Sequence, residues 1–219
     1  MVMLRGAERE ILQRVHLCHA LRAEQFMAMP AVNRRWTVHE VRALIEENPL
    51  KTPRYELVDG ELLVTPSPTP WHQRAVSELV AVLHPYLAAH SVGVVLASPS
   101  DVELEPEFLS QPDVFVVPMR EWRRLMRDKD RVIREILLAV EVLSPSSGRH
   151  DRVRKRPKYQ QHVDQYWIVD LDARLFERWL REDKRPEVLA ERLEWSPAGA
   201  AESLTLDLAS YFSRVLDIA

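Results

Sequence analysis

The spacing of apolar residues changes along the chain, and each change predicts a different type of secondary structure. Residues 37–49 and 69–90 carry apolar side chains every three or four positions, which is typical of amphipathic helices. Between them, residues 54–68 alternate apolar and polar positions on both sides of Asp59-Gly60, a dipeptide that favours tight turns. This segment is therefore predicted to form a β-hairpin.

Polar residues mark the starts of three predicted helices. Thr37 stands three residues before Glu40, which is the spacing of a capping box. Thr69 precedes Pro70, and proline favours the first position of a helix. Asp207 precedes an apolar segment at the end of the chain and is predicted to cap a closing helix.

The second half of the chain alternates short apolar segments with charged ones. Five segments are predicted to form strands: 93–98, 101–104, 112–118, 136–144 and 165–170. A charged helix or loop is expected over 120–134, a helix over 149–162, and a peripheral hairpin from 174–181 with 186–195. A sheet with flanking helices defines the fold class as α/β or α+β.

A further amphipathic helix is predicted over residues 8–28, ended by Pro30. We therefore expect an N-terminal helical extension over 1–35 and a single domain over 36–219.

Composition narrows the class of protein. The 219 residues have a net charge of −3, which excludes a globally basic nucleic-acid coat but allows a local basic patch. Cys18 is the only cysteine, so no internal disulfide can form, and a cytoplasmic location is expected. The sequence predicts no signal peptide, no membrane span and no organic cofactor.

Two acidic residues occupy strands that are otherwise apolar. Asp113 opens one apolar segment, and Glu141 lies among seven apolar residues in 136–143. Burying an unpaired carboxylate is costly, and Mg²⁺ bound to both carboxylates would offset that cost. The structural alternative is that Asp113 caps a turn and Glu141 pairs with a buried arginine.

The segment from Arg149 to Lys158 contains six arginine or lysine residues and one aspartate. It forms either a solvated helix face or a rim that binds DNA phosphates. The residues for such a rim are Arg149, Arg152, Arg154 and Lys158.

Several motifs together resemble the Uma2 family, within the PD-(D/E)XK restriction-endonuclease-like superfamily. They are "RYELVDGELLVTPSP" with the later "HQ", then "QPDVFVV", "EVLSPSS", a D…K…Y pattern and "QYWIVD". The resemblance extends from about Thr37 to Asp170. It implies a restriction-endonuclease-like mixed sheet flanked by helices, with a Mg²⁺ or Mn²⁺ nuclease site. By matching position, Asp113 is the aspartate of the PD motif and Glu141 is the second carboxylate.

The lysine of the superfamily motif is displaced in this chain. It would stand two residues after Glu141, where this chain has Leu143, and Lys155 on the next helix matches its substitute. Pro157 interrupts that helix. If the helix restarts at Pro157, Lys155 moves to a loop and Lys158 becomes the competing candidate.

Three other residues have two interpretations each. Glu56 is either an exposed hairpin residue or an additional acidic residue of the catalytic site. His72 is either a solvated residue in the first helical turn or a phosphate contact or proton carrier. Asp101 either forms a turn before a strand or adds a third acidic group near the metal.

The main hypothesis is an endonuclease that cuts DNA. Asp113 and Glu141 would bind Mg²⁺ or Mn²⁺, Lys155 would assist water attack, and a homodimer would suit duplex cleavage. The alternative is a non-catalytic module on the same fold that binds nucleic acid or protein. In a third hypothesis the N-terminal helix holds an oligomer together.

Overall fold

The computed structural model describes residues 34–50, 52–129, 132–143 and 151–217. The predicted N-terminal helical extension lies outside these residues except for Arg34 and Arg35, and it stays a prediction. The described remainder is a mixed α+β fold with helices on a β-sheet, as the sequence predicts.

Five α-helices and one π-helical segment form within the described residues. The α-helices are α1 (Val38–Glu47), α2 (Pro70–His90), α3 (Met119–Asp128), α4 (Arg156–His162) and α5 (Leu208–Leu216). The π-helical segment, Asp151–Lys155, leads directly into α4.

Twelve strands are present in the same part of the chain. They are β1 (Arg54–Val58), β2 (Glu61–Thr65), β3 (Gly93–Ala97), β4 (Val102–Glu105), β5 (Phe108–Ser110), β6 (Val114–Pro118), β7 (Leu138–Val142), β8 (Gln165–Asp170), β9 (Leu175–Trp179), β10 (Glu187–Leu189), β11 (Arg192–Trp195) and β12 (Leu204–Asp207).

A six-stranded sheet in the order β10-β9-β8-β7-β6-β3 forms the centre of the fold. Only β7 and β8 run parallel; the other neighbouring strands are antiparallel. A second, antiparallel sheet has the order β2-β1-β5-β4, and β11 pairs with β12 as a separate ribbon.

The central sheet is covered on both faces, which explains why β6 is continuously apolar and β7 is apolar except for Glu141. One face packs against α2, α5 and the β11–β12 ribbon. The other face packs against the four-stranded sheet, α3 and α4. We call this second side the β1 side.

The predicted helix starts are confirmed. The Thr37 side chain accepts a hydrogen bond from the Glu40 N–H, and Glu40 accepts one from the Thr37 N–H. Thr69 caps α2 ahead of Pro70, and Asp207 caps α5. The Asp59-Gly60 hairpin turn is present, with positive φ angles at both residues.

Two predicted elements differ from the structure. The predicted hairpin partner 186–195 divides into β10, which pairs with β9, and β11, which pairs with β12. The single helix predicted over 149–162 is a π-helical segment followed by α4, because Pro157 fits only in the first turn of a new helix.

No helix in the described part of the chain is long and apolar enough to cross a membrane.

Candidate active site

The pairing of β6 with β7 brings the two predicted carboxylates together. Val114 is paired with Val140, so continuing the antiparallel register by one residue places Asp113 opposite Glu141. Side chains alternate between the faces of a sheet, and Phe115 and Ala139 lie in the core on the β1 side. Asp113 and Glu141 therefore lie on that same side.

Asp113 is nearly completely buried and accepts three hydrogen bonds. Its Oδ1 lies 2.9 Å from the Nη1 of Arg54. Its Oδ2 lies 2.9 Å from the Nε2 of His72 and 2.9 Å from the backbone N–H of Val142. Burial by itself would raise the pKa of Asp113. The hydrogen bond and charge of His72, the charge of Arg54 and the Val142 N–H together hold it well below its usual range.

Glu141 belongs to a second group of contacts, centred on Lys155. The Nζ of Lys155 lies 2.8 Å from Glu56 Oε2, 3.1 Å from Glu141 Oε1 and 3.3 Å from Asp151 Oδ1. All four side chains are almost completely buried. One ammonium group therefore holds three carboxylates from β1, β7 and the π-helical segment.

Tyr159 and Gln111 complete the surroundings of these groups. The hydroxyl of Tyr159 lies 3.0 Å from Ser110 Oγ and 3.3 Å from Glu141 Oε1. The backbone N–H of Gln111 donates to the other oxygen of Glu56 at 2.8 Å. These contacts connect β5 and α4 to the carboxylates.

The two predicted ligands differ in their pKa shifts although both are buried. Burial is the largest influence on Glu141 and raises its pKa well above the usual value. The Lys155 charge opposes that rise, but Asp113, Asp151 and Glu56 add to it. Burial would lower the pKa of Lys155, yet the surrounding carboxylates raise it well above its usual value.

We define the acidic cluster as Glu56, Asp113, Glu141 and Asp151. Its four carboxylates face two cationic side chains, Arg54 and Lys155, and the ring of His72. When all four are ionised, two negative charges are uncompensated if His72 is neutral and one if His72 is protonated. Proton uptake by Glu141 relieves part of this excess, and a divalent cation would balance it.

The type of donor therefore fits Mg²⁺ or Mn²⁺, since both ions take oxygen ligands. The positions of these donors fit a metal ion less well than their chemical type does. Within the described ranges, no group of three or more His, Cys, Asp or Glu side chains is arranged to hold a metal ion. An ion on Asp113 and Glu141 has to compete with the Arg54 guanidinium and the Lys155 ammonium.

The π-helical segment explains how Lys155 reaches the carboxylates despite Pro157. A π-helix widens the turn, so Asp151 and Lys155 still lie on one side, with their charged groups 3.3 Å apart. Pro157 falls in the first turn of α4, where its missing N–H costs little. Lys158 points elsewhere and pairs with Asp59 and Glu105.

The structure narrows the interpretations of two of the three residues. Glu56 is fully buried, so an exposed hairpin position is wrong. His72 is only 6% exposed and contacts Asp113, so a solvated position is wrong, and its role as a phosphate contact or proton carrier stays a prediction. Asp101 precedes β4 and accepts a hydrogen bond from the Gln111 side chain, and its role near a metal stays a prediction.

The predicted basic rim is largely neutralised by acidic partners. The ion pairs are Arg152 with Asp170 and Glu177, Arg154 with Glu61, and Lys158 with Asp59 and Glu105. Arg149 lies outside the described residues. The described part of the run is therefore not a row of unpaired cations, and a role in DNA binding stays a prediction.

Sequence reasoning did not find Arg54. This residue stands two positions before Glu56, so the alternation of β1 places both side chains on the same face as Val58, in the core on the β1 side. The sequence did contain a signal for Arg54: Arg54, Glu56 and Val58 follow one another at intervals of two residues, which is the period of a strand, and Val58 is apolar. The tendency of charged hairpin residues to face solvent outweighed this signal.

Comparisons with known proteins identify the class. A mixed sheet with buried carboxylates on adjacent strands and a buried lysine against one of them is the arrangement expected of a restriction-endonuclease-like protein. The model of the Uma2 family, described as "Putative restriction endonuclease", matches residues 40–209. The match includes every residue of the acidic cluster, and the chain belongs to the Uma2 family.

A solved structure shares the fold. It is described as a "putative nuclease belonging to DUF820" from Anabaena variabilis ATCC 29413. The TM-score is 0.66 at 20% sequence identity, and the match covers 78% of this chain and 97% of that chain. No functionally curated protein matches this chain.

Proposed function

We propose that the protein is a metal-dependent nuclease that hydrolyses phosphodiester bonds in DNA at the acidic cluster. The observation that carries the proposal is the position of Lys155, buried among Glu56, Glu141 and Asp151. A buried cluster with uncompensated negative charge is costly for stability, which favours a functional reason for its presence. Membership of the Uma2 family supports the same chemistry.

Asp113 and Glu141 would hold a Mg²⁺ or Mn²⁺ ion. When bound, such an ion polarises a phosphodiester and lowers the pKa of a bound water. Asp113 is suited to this role because its low pKa keeps it ionised. Glu141 has to release its proton first, because burial raises its pKa.

Lys155 would orient the attacking water and stabilise the negative charge that develops on the phosphate. Its raised pKa keeps the ammonium protonated, so it acts as a fixed positive charge and hydrogen-bond donor rather than as a base. Glu56 and Asp151 orient this ammonium from two sides. His72 fixes Asp113 by its hydrogen bond to Oδ2.

The test is DNA cleavage in the presence of Mg²⁺ or Mn²⁺. Asp113→Asn and Glu141→Gln keep side-chain size and remove the charge, and we expect each to reduce cleavage at least about 100-fold. Asp59→Asn is the matched control, because Asp59 lies exposed in the hairpin turn and asparagine tolerates its positive φ. Cleavage that persists in both cluster variants would refute the assignment.

A non-catalytic DNA- or protein-binding module is the second candidate. It is favoured by one observation: Arg54 and Lys155 already provide positive partners for Asp113 and Glu141. Calorimetric titration with Mn²⁺ separates the two, since the nuclease must bind the ion and lose that binding on Asp113→Asn. If the protein binds no Mn²⁺ and cuts no DNA, the non-catalytic binding module is the correct function.

A homodimer is proposed for duplex cleavage, because each strand then meets its own site. Sedimentation mass of the full chain and of a variant lacking residues 1–35 tests this. A monomeric full chain would refute the dimer, and a dimer that survives the truncation would exclude the N-terminal helix as its cause.

A further inference from the structure

The first turn of α2 joins the acidic cluster to the protein surface. His72 in this turn is buried, and its Nε2 lies 2.9 Å from Oδ2 of Asp113. Its neighbours Trp71, Gln73 and Arg74 are exposed. A ligand on these neighbours therefore lies on the helical turn whose His72 contacts Asp113.

Trp71 is exposed to an unusual degree for a large aromatic residue. Its relative exposure is 46%, and no ring contact or cation–π contact involves it within the described residues. By contrast, Trp167 and Trp195 are fully buried in the core. An indole that lies outside both core clusters and is nearly half exposed is suited to contact a ligand.

Arg74 is the cationic counterpart on the same turn. It is exposed, and no ion pair involves it in the part of the chain that the structure describes. Arg152, Arg154 and Lys158 in the predicted rim all have acidic partners instead. Arg74 can therefore bind a phosphate without first breaking a described ion pair.

We infer that the first turn of α2 binds an unstacked nucleotide, with the indole of Trp71 on the base and the guanidinium of Arg74 on a phosphate. This rests on the proposed nuclease function and specifies its substrate. A duplex hides the faces of its bases, whereas a single strand or a locally opened duplex exposes them. The preferred substrate is therefore single-stranded or opened DNA.

The test uses the full chain and a short fluorescein-labelled single strand, or the same sequence as a duplex, with Ca²⁺ in place of Mg²⁺. Fluorescence anisotropy gives the affinities. We expect Trp71→Ala to weaken single-strand binding about 5- to 150-fold, the range for losing one base–aromatic stack. Trp71→Phe should retain most of the affinity, because it keeps an aromatic face.

Arg74→Ala should reduce the slope of log affinity against log salt concentration by about 0.7, the contribution of one phosphate contact on a single strand. The matched controls lie on α3, which follows β6 at the end opposite Asp113. Arg123→Ala and Met126→Ala replace residues that are also exposed, and both should leave affinity and salt slope unchanged.

Tryptophan fluorescence provides a direct signature of stacking. The chain has six tryptophans, and a single strand should quench emission in the wild type but not in Trp71→Phe. Equal single-strand affinity of wild type and Trp71→Ala overturns the inference, as does a preference for the duplex. A loss of self-association in Trp71→Ala with unchanged DNA binding makes Trp71 a protein contact and also overturns it.

Failure of this inference can be distinguished from failure of the proposed function. If Trp71→Ala binds like the wild type while Asp113→Asn abolishes Mg²⁺-dependent cleavage, the nuclease stands and the inference is wrong. If Trp71→Ala loses binding and the wild type never cuts DNA, the binding surface stands and the catalytic proposal is wrong. A wild type that binds no DNA overturns both.

Discussion

The ammonium nitrogen of Lys155 lies 3.1 Å from Oε1 of Glu141, and both residues are at most 3% exposed. A buried ion pair of this kind is weak evidence for stability, because removing two charges from water is expensive. Removing only one partner is more costly still, since it leaves the other charge buried and uncompensated. The pair therefore makes both stability and activity sensitive to substitution at either residue.

Replacing Lys155 by methionine should destabilise the protein by about 3–5 kcal/mol, because three buried carboxylates lose their shared cation. Lys158→Met is the matched control. Lys158 pairs with partly exposed carboxylates, so its loss should cost at most about 1 kcal/mol. Urea denaturation of both variants measures the difference, and equal losses would contradict the assignment of Lys155 as the central cation.

Stability should fall with rising pH because of Glu141. Its pKa is raised in the folded protein above the usual value of 4.5, so unfolding releases a proton once the pH exceeds that value. The stabilising effect is complete below about pH 4.5 and is lost as the pH rises through the folded-state pKa. Glu141→Gln cannot release this proton.

The free energy of unfolding of Glu141→Gln should therefore rise relative to the wild type between about pH 5 and 8, measured with EDTA present. Asp113 and Lys155 act outside this window. Asp113, with a lowered pKa, loses its stabilising effect only as the pH falls below its usual 3.8, and Lys155 only above its usual 10.5. A difference between variant and wild type that is constant with pH would contradict the raised pKa.

Arg54→Met should reveal whether a metal ion competes for Asp113. Losing the guanidinium leaves Asp113 with two of its three donors, and we expect a loss of about 3–5 kcal/mol in EDTA. Mn²⁺ should restore more stability to this variant than it adds to the wild type, because it replaces the missing charge. Thermal unfolding with and without Mn²⁺ measures this, and equal effects on both proteins would exclude competition.

Tyr159→Phe should reduce activity with only a modest loss of stability. The ring stays stacked on Tyr166, but Ser110 and Glu141 each lose a hydrogen-bond partner, which costs about 1–2 kcal/mol. Tyr211→Phe is the matched control, because its hydroxyl donates to the Ala75 carbonyl in the other core. Both variants should lose similar stability, and only Tyr159→Phe should slow DNA cleavage.

The sequence alone determined the parts of the site that depend on local periodicity. The apolar segments around Asp113 and Glu141 predicted that both residues belong to buried strands; both are buried, with Glu141 inside β7 and Asp113 directly before β6. Asp151 and Lys155 are four residues apart, a spacing that places two side chains on one side of a helix, and their charged groups lie 3.3 Å apart. Helix caps followed from the same kind of local rule, since a cap and its partner lie only three residues apart.

Only the tertiary structure decided which groups surround these carboxylates. Glu56 and Arg54 are buried because the four-stranded sheet covers the β1 side of the central sheet, and strand alternation does not specify which face is covered. The basic run is neutralised by residues distant in sequence, such as Glu61 for Arg154. Charge pairing of this kind depends on chain topology, because it joins residues that no local spacing connects.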